Sequence, residues 1–105
     1  MSDIQVTEGR TAPIDEQLTL DVVAPNMSGY TLSLLLTGRD GVAVTTTGNA
    51  AWLDATLAKA RYNPDAADLV AAKSPYRKRW KVVDLQGKIS FFPEGHGDEL
   101  MVYKP

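Results

Sequence analysis

The sequence predicts a small all-β sandwich, and three observations carry that expectation. Residues 76–84, YRKRWKVVD, alternate Tyr76, Lys78, Trp80 and Val82 against Arg77, Arg79, Lys81 and Val83. A period of two over that length is the signature of a β-strand with one buried face. Residues 30–37 repeat the pattern, with Tyr30, Leu32, Leu34 and Leu36 on one side and Thr31, Ser33 and Leu35 on the other. Elsewhere, short alternating runs are separated by Gly, Pro, Asn and Asp, the spacing expected of a sandwich or barrel.

Taken in order, residues 3–7 form a short candidate strand with Ile4 and Val6 on one side. Glu8-Gly9-Arg10 reads as a turn, and Pro13 bars a central position in a sheet. Residues 18–22 predict a second strand through Leu18, Leu20 and Val22, and residues 25–29 a loop. After the strand at 30–37, Asp40-Gly41 predicts a tight turn onto a return strand at 42–46. Residues 50–54, with Trp52, predict the next strand.

Residues 55–59 have helical composition but are too few for an independent helix. Residues 60–62 resume a strand that ends at Asn63-Pro64. Asn63 as cap and Pro64 at the first position predict one short helical turn or structured crossover over 65–72. Gln86-Gly87 closes a hairpin from the strand at 76–84 onto residues 88–92. A breaker-dense loop at 93–98 leads to a last strand at 99–103.

The expected core holds Leu18, Leu20, Leu32, Leu34, Leu36, Tyr76, Trp80, Val82, Leu100 and Val102. Lys78 shares the inward register of Tyr76, Trp80 and Val82. Its stem is expected along the core edge with the ammonium in water.

At 105 residues the chain predicts one domain spanning 1–105, and 44% hydrophobic residues suffice for one core. The net charge of −2 argues against broad electrostatic binding of nucleic acid. Without cysteine there is no disulfide, cysteine-ligated zinc or thiol nucleophile. No run approaches the roughly 18 apolar residues of a membrane span. The N-terminus shows no basic start followed by an apolar stretch, so no secretory signal is expected.

Candidate sites are few. His96 is the single histidine and sits between Gly95 and Gly97, where a loop position with no catalytic or metal role is the expectation. No serine elbow is present, and the acidic residues are scattered over turns and strand ends. Arg77, Arg79 and Lys81 project from one strand face, about 6.6 Å apart by strand geometry. This basic stripe is a solvated face, a contact for an acidic partner protein or, least in keeping with a face that lacks interleaved aromatics, a nucleic-acid contact. Trp52, Phe92 and Tyr103, if exposed, would suit a carbohydrate-binding module.

The segments VTEGRTAPIDEQLTLD, YTLSLLLTGRDG, ARYNPDAADL and YRKRWKVVDLQGKISFFP, with a final strand, cover nearly the whole chain. Their order resembles the immunoglobulin-like N-terminal domain of tailed-phage upper baseplate proteins and related short stand-alone virion proteins. The resemblance rests on Tyr62, Pro64, Asp68, Tyr76, Trp80, Asp84, Gly87, Lys88, Phe92 and Pro93. Lys78 departs from it, standing where a small residue would suit an inward position. The baseplate proteins continue into a shaft or receptor-binding region, so a free-standing part is the expectation here. The resemblance implies an immunoglobulin-like antiparallel β-sandwich without enzymatic activity or cofactor. It implies a place in the virion, reached from the host cytoplasm, as capsid decoration or on the tail or baseplate. The partners would be other virion proteins, contacted in many copies.

Overall fold

A computed structural model describes residues 4–19, 25–93 and 98–105. Nine strands appear among them: β1 (Ile4–Thr7), β2 (Ile14–Gln17), β3 (Thr31–Thr37), β4 (Ala43–Val44), β5 (Asn49–Asp54), β6 (Lys59–Asn63), β7 (Tyr76–Val83), β8 (Ile89–Phe92) and β9 (Asp98–Tyr103). They form two sheets. The larger runs β1-β9-β7-β3-β4, with β8 also paired to β7, and the smaller runs β2-β6-β5.

β7 is the hub of the larger sheet. One edge pairs with β3 from Thr31↔Val83 to Thr37↔Arg77. The other edge is shared, with β9 opposite Tyr76, Arg77 and Lys78 and β8 opposite residues 80–83. The alternation in YRKRWKVVD therefore decides which side chains enter the core. Tyr76, Lys78, Trp80 and Val82 are buried. Leu18, Ala60 and Tyr62 meet Trp80, Val82 and Phe92 in one half of the core. Val6, Ile14, Leu36, Tyr76, Leu100 and Val102 fill the other.

Several expectations need correction. The sandwich is not wholly antiparallel, because β1 runs parallel to β9. These are the first and last strands of the set, and no hairpin obliges them to run opposite ways. A strand not expected from sequence, β2, lies at Ile14–Gln17; of the strand expected at 18–22, Leu18 and Thr19 lie outside any strand and residues 20–22 lie outside the described residues. Among the described residues β2 pairs only with β6, and it starts just after Pro13, an edge placement that proline permits. Leu18 is buried at its end, whereas Leu20, Val22 and His96 lie outside the described residues. Leu32 and Leu34 pack against the core but are only half-buried, since three strands cannot cover the whole of the larger sheet.

Of the helical turn or structured crossover expected over 65–72, the structure shows a crossover, with a turn at 66–68 and a single 3-10 turn at Ala71–Lys73; another 3-10 turn lies at Ala55–Leu57. Asp68 organises the crossover. Its buried carboxylate accepts from the backbone N–H of Thr47 (2.9 Å), Gly48 (2.8 Å) and Asp65 (2.9 Å), and from the Tyr62 hydroxyl at 2.7 Å. A side chain that captures this many backbone donors holds the segment as a turn and competes with helix. A methyl group at Gly48 would come within 2.5 Å of the Asn63 carbonyl oxygen, so the loop closes only around glycine.

The same clasp sets a pH dependence. Burial pushes the Asp68 carboxyl up, but the bonds from Thr47, Asp65, Tyr62 and Gly48 outweigh it and leave it below 3.8. Its stabilising contribution is present above that value and lost as pH falls through the lowered one. Burial raises the Tyr62 phenol most. Asp68 and Asp65 add to the rise, Thr46 opposes it, and the phenol is pushed up from 10.0 to about 12. A raised phenol favours the folded state while it stays protonated. Stability is therefore expected to decline between pH 10.0 and about 12. Melting temperatures followed across that window should show the decline flattened in Tyr62→Phe, and an equal decline in both proteins would refute the assignment.

Candidate interaction surface

The outer face of the larger sheet carries the basic stripe. Arg77 is exposed, and Arg79 and Lys81 are half-buried between the neighbouring strands. Register fixes their surroundings. Arg77 lies between Thr37 and Glu99, Arg79 beside Leu35, and Lys81 between Ser33 and Phe91. The Arg79 guanidinium sits 4.3 Å from the Phe91 ring centroid, a cation–π contact. Its Nε is buried and has no hydrogen-bond partner among the described residues. Leu35, Ile89 and Tyr103 are exposed on the same face. This surface is amphipathic, combining cations with an apolar floor. Such a surface can hold carboxylates and exclude water around them.

The aromatic residues considered for sugar stacking are placed differently from the expectation. Phe92 is buried in the core. Trp52 is half-buried against the core, and its indole N–H donates to the Tyr30 carbonyl oxygen at 2.9 Å. Only Tyr103 of the three is exposed.

Lys78 departs most from expectation. Its ammonium does not reach water; the side chain is 2% exposed and donates to Glu16 Oε1 at 2.5 Å. The same oxygen accepts from Trp80 Nε1 at 3.2 Å. Asp98, opposite Lys78 on β9, brings Oδ2 to 3.5 Å from the ammonium. Glu16 belongs to the smaller sheet and Lys78 to the larger, so the ion pair ties the two sheets through the core.

A signal for Glu16 was present in the sequence. Ile14, Glu16 and Leu18 share a period of two, which aims Glu16 inward between two apolar neighbours. An inward lysine requires an inward carboxylate, because a buried charge is tolerated only when paired. Asp98 had no such signal, as it follows the turn-rich segment 93–97.

Among the described residues, no group of three or more His, Asp or Glu side chains gathers as a metal site. No helix among them is long and apolar enough to cross a membrane. The fold and this surface define an all-β protein of two facing sheets with an amphipathic basic face. No known protein family, curated protein or solved structure matches the chain.

Proposed function

We propose that this chain is a non-enzymatic structural part of a tailed-phage particle, an immunoglobulin-like domain that docks through the outer face of its larger sheet. Capsid decoration and attachment to the tail or baseplate are the two placements the reading admits. The carrying observation is the line of Arg77, Arg79 and Lys81 over an apolar floor, on a chain whose net charge is −2. Its occupant would be an acidic patch on a neighbouring virion protein, repeated by the symmetry of the particle.

Two features support the immunoglobulin-like part of the reading. The first strand pairs parallel to the last, while β2, β6 and β5 form the opposing sheet. Tyr76, at the start of β7, accepts from Val70 N–H at 3.0 Å and donates to Val70 O at 3.2 Å. A tyrosine that bonds back to upstream backbone at the start of this strand is the tyrosine corner of such sandwiches. In antibody domains the cysteine that bridges the sheets follows that tyrosine closely on the same strand. Lys78 holds the corresponding place and bridges to Glu16 on the opposite sheet.

Single contacts of this kind are weak and salt-sensitive, and many copies on one lattice compensate. Mass spectrometry of purified particles should find the chain in many copies. A high-salt wash, or Arg77→Glu combined with Arg79→Glu, should strip most of it. Absence from particles would overturn the virion reading. Retention despite both treatments would overturn the basic face as the attachment surface.

A further inference from the structure

The Lys78 site encloses more than an ion pair requires. Three strands, β2, β7 and β9, contribute Glu16, Lys78 and Asp98, whose side chains are 6%, 2% and 19% exposed. One ammonium faces two carboxylates. Glu16 Oε2 and Asp98 Oδ2 are both buried without a hydrogen bond among the described residues. Excess charge enclosed with unsatisfied oxygens is a costly arrangement for a structural salt bridge. The same atoms are well placed as reactants.

We propose that this is a self-crosslinking site, at which the Lys78 amine and the Asp98 carboxyl condense to an amide with Glu16 as proton carrier. Lys78 and Asp98 are directly opposed on adjacent antiparallel strands, so the reaction needs no change of register. Nζ lies 3.5 Å from Asp98 Oδ2, one bond away from the carbon it would attack, so the fold already brings the two reacting groups together. Folding holds both groups there continuously, which replaces a bimolecular encounter by an intramolecular one.

The step balances with these three side chains alone. Glu16 Oε1, hydrogen-bonded to Nζ, takes a proton from the ammonium and delivers it to a carboxyl oxygen of Asp98. The freed amine attacks Cγ of Asp98 and the C–N bond forms. Glu16 takes a further proton from the nitrogen and passes it to the hydroxyl on Cγ. The C–O bond breaks and water leaves. An ammonium and a carboxylate have become an amide and one water, and Glu16 is again a carboxylate. The amide removes two enclosed charges, and Glu16 keeps the Trp80 indole N–H as its donor. The ion pair described above is the reactant state. The product would join β7 to the start of β9 covalently in a chain that has no cysteine.

The test is the intact mass of the purified full-length chain, with folding checked by a β-type far-ultraviolet spectrum. The expected mass is that of the sequence less one water. A tryptic digest should show the peptides containing Lys78 and Asp98 joined, with no cleavage after Lys78. Asp98→Ala should restore the mass predicted by its sequence. Asp98→Asn should instead lose ammonia. Glu16→Gln, which keeps an acceptor for Lys78 and Trp80 but cannot carry the proton, should remain at full mass. A folded wild-type chain at full sequence mass would overturn the proposal without recourse to any variant. A crosslink joining Lys78 to Glu16 would overturn the assignment of Asp98. Undiminished crosslinking in Glu16→Gln would overturn the role given to Glu16.

Discussion

Trp80→Ala is expected to destabilise the protein by about 3–5 kcal/mol, the usual cost of truncating a large buried aromatic side chain. Trp80 is fully buried at the centre of the larger sheet, with Leu34 and Phe92 directly opposite on the flanking strands. It packs in the same cluster as Leu18, Ala60 and Tyr62 from across the core. Truncation would open a cavity that these neighbours, held in register by two sheets, cannot fill. It would also remove the indole N–H that donates to Glu16. Urea titration should show the loss as a lower midpoint at similar slope. A loss below about 1 kcal/mol would place Trp80 outside the effective core, against the typical cost of such truncations.

Relative to the uncrosslinked, ion-paired state, Glu16→Ala is expected to cost a comparable amount, about 3–5 kcal/mol, because removing one partner of a buried ion pair strands the other. Lys78 would keep only Asp98 at 3.5 Å, and Trp80 Nε1 would lose its acceptor. Glu16→Gln should cost clearly less, since its amide oxygen can still accept from both donors. Denaturant titration of the two variants side by side separates the charge from the hydrogen bonds. Equal losses would mean that the charge contributes everything. A loss below about 1 kcal/mol in Glu16→Ala would show that the pair is dispensable, contrary to the general behaviour of buried pairs.

The strands that were legible from sequence are those whose alternation is long and apolar. β3 and β7 carry their inward residues at every second position, and burial at Leu36, Tyr76, Trp80 and Val82 follows that pattern. β2 was not legible because IDEQ is charged and short. Its strand character comes from pairing with β6, where Asp15 meets Arg61 in a two-point ion pair. That information is non-local, and a period of two within four residues is a weak sign. The turn after β6 was legible only as one of two alternatives, for a related reason. Asp68 looks like any surface aspartate until Thr47 and Gly48, far away in sequence, are brought to it. The basic stripe was legible as a face, because alternation alone sets Arg77, Arg79 and Lys81 together. Its apolar floor was not, since Phe91 reaches Arg79 through the register of β8 on β7. Lys78 was recognisable as an anomaly in its register, but its partners come from two other strands.

The parallel pairing of β1 with β9 has a mechanical consequence. Ile4 lies opposite Leu100 and Thr7 opposite Tyr103, so the two strands run the same way along one edge of the sheet. A tension applied at Ile4 and at Tyr103 pulls β1 backwards along its own axis and β9 forwards along its own. The hydrogen bonds between them are then loaded side by side and must yield together. An antiparallel pair pulled from its open end would part like a zipper, one bond at a time. The strand direction that the sequence did not reveal therefore places a shear clamp between the two ends of the fold.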